Sequence, residues 1–172
     1  MHRLVLMRHA KSDWPAGFDD IDRPLSKRGI ADARVAGEYL GTQDWQIGFA
    51  LVSVAQRTRE TFLNVSSTLG YDVCHSFENS IYDASPGEIL SLVRAQAAET
   101  VLVIGHAPGI PRLALGLAMG ELPNELLRGK GYPTAAISVL ESDKPWSAWE
   151  PECARFVDYH VPRADPLSDD SD

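Results

Sequence analysis

Three short apolar runs, at residues 4–7, 47–54 and 100–104, each stop at a basic or imidazole side chain, and this pattern constrains the fold more than any other feature. The first is Leu4-Val5-Leu6-Met7, followed at once by Arg8-His9-Ala10-Lys11-Ser12. The second gives way to Gln56-Arg57-Thr58, and the third to Gly105-His106. Runs that are apolar at successive positions, without alternation, predict strands buried on both faces. The stretches between them have a different period. After Ser26, a plausible N-cap, Ile30, Ala33, Val35, Ala36, Tyr39 and Leu40 recur at helical spacing, with Gly41 as a C-terminal stop. A second helix is predicted over 56–69, closed by Gly70. A third starts at Pro86 and buries Ile89, Leu90, Leu92, Val93 and Ala97, and a fourth follows over 110–119.

Strands alternating with helices imply an α/β fold: a single domain with a mostly parallel central sheet and helices on both faces. Parallel strands point the same way, and ligands bind outside their carboxyl ends. Arg8 and His9, Arg57, and His106 are therefore expected to converge on one site. The remaining segments are less regular. Residues 13–20, 76–85 and 120–133 read as loops, 71–74 as a short strand and 134–140 as a further strand. The alternating patterns at 146–149 and 154–161 suggest a final hairpin.

A chain of 172 residues suits one domain, placed here at 1–162, and its 44% hydrophobic and 23% charged content is that of a globular protein. Residues 163–172 have the composition of an acidic, disordered tail, with Asp165, Asp169, Asp170 and Asp172. The net charge of −8 argues against a nucleic-acid surface. No apolar run approaches the ~20 residues needed to cross a bilayer, and no secretory pattern opens the chain, so the expected location is the cytoplasm. Cys74 and Cys153 are too few for a disulfide framework. His2, His9, His75, His106 and His160 are too scattered for a metal site, so neither metal nor cofactor is expected.

Arginine presents a planar fork of donors that matches phosphate oxygens in pairs and never loses its charge. Several cations gathered in one pocket of an acidic protein require an anion to offset their repulsion. Backbone N–H groups at the helix starts beyond Arg57 and Gly105 would add to an anion site. A neutral imidazole among them is a nucleophile at cellular pH. It could split phosphate hydrolysis into two steps through a phosphohistidine, with the cations stabilising the equatorial oxygens.

Four sequence clusters carry a resemblance to a known family: Leu6-Met7-Arg8-His9-Ala10-Lys11-Ser12; Asp22-Arg23-Pro24-Leu25-Ser26 with Arg28-Gly29; Ala55-Gln56-Arg57-Thr58 with Glu60-Thr61; and Gly105-His106. The chain resembles the histidine phosphatase superfamily, with its phosphoglycerate mutase-like fold, and within it the SixA-type phosphohistidine phosphatases. The resemblance implies that His9 is the phosphorylated nucleophile and that Arg8, Arg57 and His106 hold the phosphoryl group. Lys11 and Arg23 would be outer cations, and Ser12 a hydrogen-bond donor to phosphate. Ala10 departs from the usual glycine, which a negative φ would tolerate. Larger branches of the family also carry an acid that protonates the leaving group. Asp83 and Glu88 lie in the segment where one would fall, although a phosphoryl group on imidazole nitrogen leaves with less help.

The expected function is a metal-independent phosphatase acting on phosphohistidine in a protein and releasing phosphate. The alternatives are a phosphatase or mutase acting on a small phosphomonoester and, in a different class, a non-catalytic phosphate-binding module. Arg23 could equally pair with Asp20 or Asp22, and Arg57 with Glu60. Trp14 could cover the site or simply pack.

Overall fold

The structure is a computed structural model that describes residues 1–128 and 131–166. Seven strands form one sheet in the order β3-β2-β4-β1-β6-β7-β5: β1 (His2–Arg8), β2 (Phe49–Ser53), β3 (Cys74–Glu78), β4 (Thr100–Gly105), β5 (Ala118–Met119), β6 (Ile137–Ser142) and β7 (Ala154–His160). The β3, β2, β4 and β1 strands run parallel. β6 is antiparallel to both β1 and β7, and β5 is parallel to β7. The helices are α1 (Lys27–Gly41), α2 (Gln56–Leu69), α3 (Pro86–Arg94), α4 (Gly109–Leu117) and a short α5 (Asn124–Arg128).

Side chains of β1 divide the interior in two, because successive residues of a strand face opposite ways. Leu4 and Leu6 belong to a core closed by α3 and α4 residues such as Ile89, Val93, Ile110 and Leu113. Val5 and Met7 face the other core, which α1 and α2 close with Ala33, Ala36, Leu40, Phe62 and Val65. Helices therefore cover both faces, as the alternation of elements implied. The chain leaves β1 through helices on one face and enters and leaves β4 through helices on the other. The carboxyl ends of β1 and β4 thus flank the crevice where such a sheet binds ligands.

Several boundaries differ from the sequence reading. The strand expected at 71–74 is β3, at Cys74–Glu78, and continues into a 3-10 turn over Asn79–Ile81 where a loop was expected. This edge strand is mostly exposed and polar, so it lacks the apolar run that marks β2 and β4. The strand expected from 134 begins only at Ile137, because Ala135 takes a left-handed φ of 65°. The long segment 120–133 contains α5. The alternation at 146–149 is a 3-10 turn that buries Trp146 and Trp149, while β7 does form a hairpin with β6.

The terminal segment expected to be disordered starts on the domain surface. The Arg163 guanidinium donates to Thr134 O at 3.0 Å, and the Ala164 N–H donates to Asp32 Oδ1 at 2.9 Å. Asp169, Asp170 and Asp172 lie outside the described residues. Among the described residues, no helix is long and apolar enough to cross a membrane.

The segment after β1 is fastened to the start of α1. Ser12 bridges Leu25, the Asp13 N–H donates to Pro24 O at 2.9 Å, and the Ser26 N–H donates to Lys11 O at 2.9 Å. The Ser26 hydroxyl also donates to Lys11 O and accepts the Gly29 N–H at 3.0 Å, which caps the helix. Gly29 is required by this close approach, since a Cβ there would stand 2.0 Å from Lys11 O. Gly29→Ala is expected to destabilise the domain by about 2–3 kcal/mol, read as a lower urea midpoint at unchanged slope. A midpoint equal to wild type would show that this approach does not constrain the segment.

Candidate active site

The carboxyl ends of β1, β2 and β4 open into a cleft of about 260 Å³ lined by Arg8, His9, Lys11, Ser12, Arg23, Arg57, His106, Ala107 and Thr134. The structure therefore brings together the seven residues expected to bind or react with a phosphoryl group. The other two candidates stay away from it. The Glu88 carboxylate accepts the Ser85 N–H at 2.7 Å in a capping box at the start of α3, and Asp83 is exposed outside the cleft lining. A carboxylate committed to its own helix cap is poorly placed to give a proton to a leaving group.

His9 is the best-determined group. Its N–H donates to Gly105 O and its C=O accepts the Ala135 N–H, both at 3.0 Å, so β4 and the segment before β6 hold its backbone from two sides. Its Nδ1 lies 2.7 Å from Ala10 O. A carbonyl can only accept, so Nδ1 carries the proton and Nε2 keeps a lone pair. The ring is 7% exposed. Burial, followed by repulsion from His106, Arg57 and Arg8 and opposed by the Ala10 hydrogen bond, pushes its pKa down to about 3. His9 is thus a neutral imidazole at neutral pH, with the lone pair of Nε2 free of a proton. Ala10 fits in place of glycine: its φ is not positive, it is buried, and its N–H donates to Thr61 Oγ1 at 3.0 Å.

His106 stands opposite, with ring centroids 5.4 Å apart. The Ser53 hydroxyl lies 2.8 Å from His106 Nε2 and also accepts the Ala55 N–H at 3.4 Å. Its own proton can go to Nε2, and in that tautomer Nδ1 carries the ring proton. Among the described residues, Nδ1 is buried and has no partner. Burial first, then Arg57, lowers the His106 pKa to about 4, with Asp20 pulling the other way. A neutral imidazole with an uncommitted N–H is a donor suited to a phosphoryl oxygen.

The cations are held largely by carbonyl oxygens. Arg8 donates through Nη1 to Tyr132 O at 2.9 Å, and Arg57, 7% exposed, donates through Nη1 to Asp20 O at 2.7 Å. Among the described residues, the Nε atoms of both arginines are buried and have no partner. Burial and the nearby Arg57 lower the Arg8 pKa, without threatening its charge. Arg57 pairs with Asp20 rather than with Glu60, whose carboxylate accepts the Leu25 N–H. Arg23 pairs with Asp20 rather than Asp22. It also donates to Ser12 Oγ at 2.9 Å and lies over the Trp14 ring at 4.1 Å. Trp14 thus packs on a site cation while remaining 66% exposed. Neither α2 nor α4 has a side-chain cap, but the Thr58 N–H is taken by Ala55 O and the Ile110 N–H by His106 O, and Pro111 has none to offer, so the helix starts add less to an anion site than the sequence suggested.

Four contributors escaped the sequence reading: Asp20 as the partner of Arg57, Tyr82, Ser53, and the Tyr132 carbonyl that holds Arg8. Ser53 was the most detectable, since it ends a strand four residues before Arg57. Asp20 is one of several aspartates in its loop, and Tyr82 lies in a segment without periodicity. Among the described residues, no group of three or more His, Cys, Asp or Glu side chains could hold a metal ion.

The lowered imidazole pKa values have a consequence for stability. Below the ordinary value of about 6.5, an unfolded chain takes up protons that His9 and His106 in the folded protein refuse. Stability is therefore expected to fall as pH is lowered from about 6.5 toward 4. His9 should remain neutral across that range in an NMR titration of the phosphate-free protein, and His106 should take up its proton only as the pH nears 4. Titration of either ring near 6.5 would contradict the buried, cation-crowded site.

Comparison with known proteins agrees with this geometry. Residues 4–78 match the histidine phosphatase superfamily (branch 1). The uncharacterised protein Rv1276c of Mycobacterium tuberculosis is 35% identical over 162 residues, covering 91% of this chain and 100% of that protein. Two solved structures are similar over nearly the whole fold. A candidate SixA phosphohistidine phosphatase from Nakamurella multipartitia has a TM-score of 0.78 at 28% identity, covering 94% of this chain and 96% of its own. Another from Agrobacterium tumefaciens has a TM-score of 0.77 at 26% identity, covering 94% and 99%. With its Arg-His strand end, second histidine and arginine-lined cleft, the chain belongs to the histidine phosphatase superfamily.

Proposed function

We propose that the protein is a phosphatase that hydrolyses phosphohistidine on a protein substrate through a covalent phosphohistidine at His9. The observation that carries this reading is the state of the His9 ring: buried, neutral, oriented by Ala10 O through Nδ1–H, and facing a neutral His106 and two arginines. Pure anion binding would be served by the arginines and backbone N–H groups alone. It gives no reason to hold an imidazole lone pair among them.

In the first step His9 Nε2 attacks phosphorus, and the bond to the substrate nitrogen breaks with its electron pair returning to that nitrogen. Arg8, Arg57 and the Nδ1–H of His106 stabilise the charge on the equatorial oxygens. Lys11, Arg23 and Ser12 support the phosphoryl group from the rim. In the second step water displaces the phosphoryl group from His9, releasing phosphate. The scheme uses no metal.

Two observations favour a phosphorylated protein over a small ester. Among the described residues the cleft lining contains no carboxylic acid, and an alkoxide leaving group ordinarily needs a proton from one. Phosphorus on an imidazole nitrogen leaves more readily. Among the described residues between α4 and β6, the segment that could cover the cleft contributes one short helix, α5, which lies outside the lining, and only Thr134 of that segment lines the cleft. A macromolecular side chain could therefore approach.

The test is turnover of a phosphohistidine protein and of p-nitrophenyl phosphate with a chelator present. Hydrolysis is expected to persist in chelator, and an acid-labile phosphoryl adduct should be trapped on His9. His9→Ala is expected to lose at least about 10³-fold in kcat, and Arg57→Ala about 10²-fold. Tight phosphate binding without turnover of either substrate would identify a binding module instead. Transfer of phosphate between hydroxyls without release would identify a mutase.

A further inference from the structure

Asp20 lies outside the cleft lining itself but sets a carboxylate against Arg23 and Arg57, two of the cations that form it. Its Oδ2 accepts hydrogen bonds from the Tyr82 hydroxyl and, at 3.2 Å, from Arg57 Nη2. Its Oδ1 accepts from Arg23 Nη1 at 3.2 Å. A carboxylate has about four acceptor sites, so one remains on Oδ1. The side chain is 42% exposed while touching two arginines of the cleft, so a ring carried by a phosphoryl group held there can reach it from solvent. Its charge also reaches His106.

The hydrogen bond from Tyr82, then those from Arg23 and Arg57, hold the Asp20 carboxyl down to about 2. Asp20 is therefore not the missing proton donor, because it has no proton to give at neutral pH. A permanent anion beside the cleft arginines acts by charge instead. An ester oxygen gathers negative charge as its bond to phosphorus breaks, and a nearby carboxylate opposes that. A phosphorylated imidazole can carry a proton on its other nitrogen, and a nearby carboxylate favours that cationic form.

We propose that Asp20 is the specificity-determining residue of the site: its carboxylate accepts the N–H of a protonated phosphoimidazole and disfavours the developing alkoxide of a phosphate ester. This inference rests on the phosphohistidine reading above and assigns its selectivity to one side chain. In the step it governs, His9 Nε2 forms the new P–N bond, and the old P–N bond returns its electron pair to the substrate ring. The proton on the ring's other nitrogen stays where it was. Neutral imidazole departs, and no acid is consumed.

The alternative role for Asp20 is to position Arg57, whose shortest bond is to the Asp20 backbone oxygen. Asp20→Asn keeps that backbone oxygen and a side-chain acceptor while removing the charge. The experiment measures kcat/KM for a phosphohistidine peptide and for phenyl phosphate in the wild type, D20N and Tyr82→Phe. Inhibition by inorganic phosphate reports the state of the arginines. D20N is expected to lower the phosphohistidine-to-ester ratio by about tenfold or more, with the phosphohistidine value falling and the ester value rising. Tyr82→Phe, which leaves the carboxylate in place, is expected to keep the wild-type preference. A ratio within about twofold of wild type overturns the inference, whether both substrates fall together, as a positioning role requires, or neither changes. A wild-type protein that turns over phenyl phosphate but not the phosphohistidine peptide overturns the substrate reading itself, and this inference with it.

Discussion

Hydrogen bonds on both sides of the His9 peptide, to Gly105 O and from the Ala135 N–H, fix the point from which the rest of the site is measured. They extend the pairing of β1 with β4 on one side and β6 on the other by one residue beyond the strand. Leu4, Val5, Leu6 and Met7 are fully buried, and a one-residue slip of β1 would exchange the faces of all four. Their packing therefore makes the position of His9 a consequence of the core. Segments far apart in sequence meet here because the sheet order puts β4 and β6 beside β1.

Gathering Arg8 and Arg57 at this point creates a charge problem, visible in the way Arg57 lowers the Arg8 pKa. Full countercharges would neutralise the cleft and spoil it as an anion site. The main partners are instead the Tyr132 and Asp20 carbonyls, whose partial charges satisfy N–H donors while leaving the cleft positive. Asp20 supplies one full negative charge, shared between Arg23 and Arg57. The same positive field, added to burial, keeps both imidazoles neutral. The positive cleft and the neutral state of its imidazoles thus have a common physical origin.

How much of this was legible depends on the kind of signal. β1, β2 and β4 were readable because a strand buried on two faces leaves an unbroken apolar run, and the residues that end such runs line the cleft. β3 was misplaced because an exposed edge strand carries no such run. Trp146 and Trp149 mimicked a strand because two aromatics spaced across a 3-10 turn can both face inward. Arg57 was recognisable by its place at a strand end, but its partner was not. Asp20 reaches it from a loop with several other aspartates, and only the fastening of Lys11, Ser12 and Asp13 to the residues before α1 fixes that loop's path. The Tyr132 contribution is a backbone oxygen, for which residue type gives no clue.

The proposed substrate and the proposed intermediate are the same chemical group, and this bears on how little the site needs. Transfer from a protein phosphohistidine to His9 exchanges one P–N bond for another, so the first step is close to thermoneutral, and hydrolysis in the second step draws it forward. The Ala10 carbonyl faces the Nδ1–H of His9, as Asp20 is proposed to face the N–H of the substrate ring. Each partner holds a proton on the far nitrogen of a phosphorylated imidazole, and each thereby weakens the bond to phosphorus. In the phosphorylated enzyme this leaves His9 as the next leaving group, already supplied with its proton. An acid at the cleft mouth would add little to either step, whereas it would be needed to release an alkoxide. Under the proposed mechanism, the arrangement of neutral histidines, carbonyl-held arginines and one ionised carboxylate would therefore suit phosphorus on nitrogen better than phosphorus on oxygen.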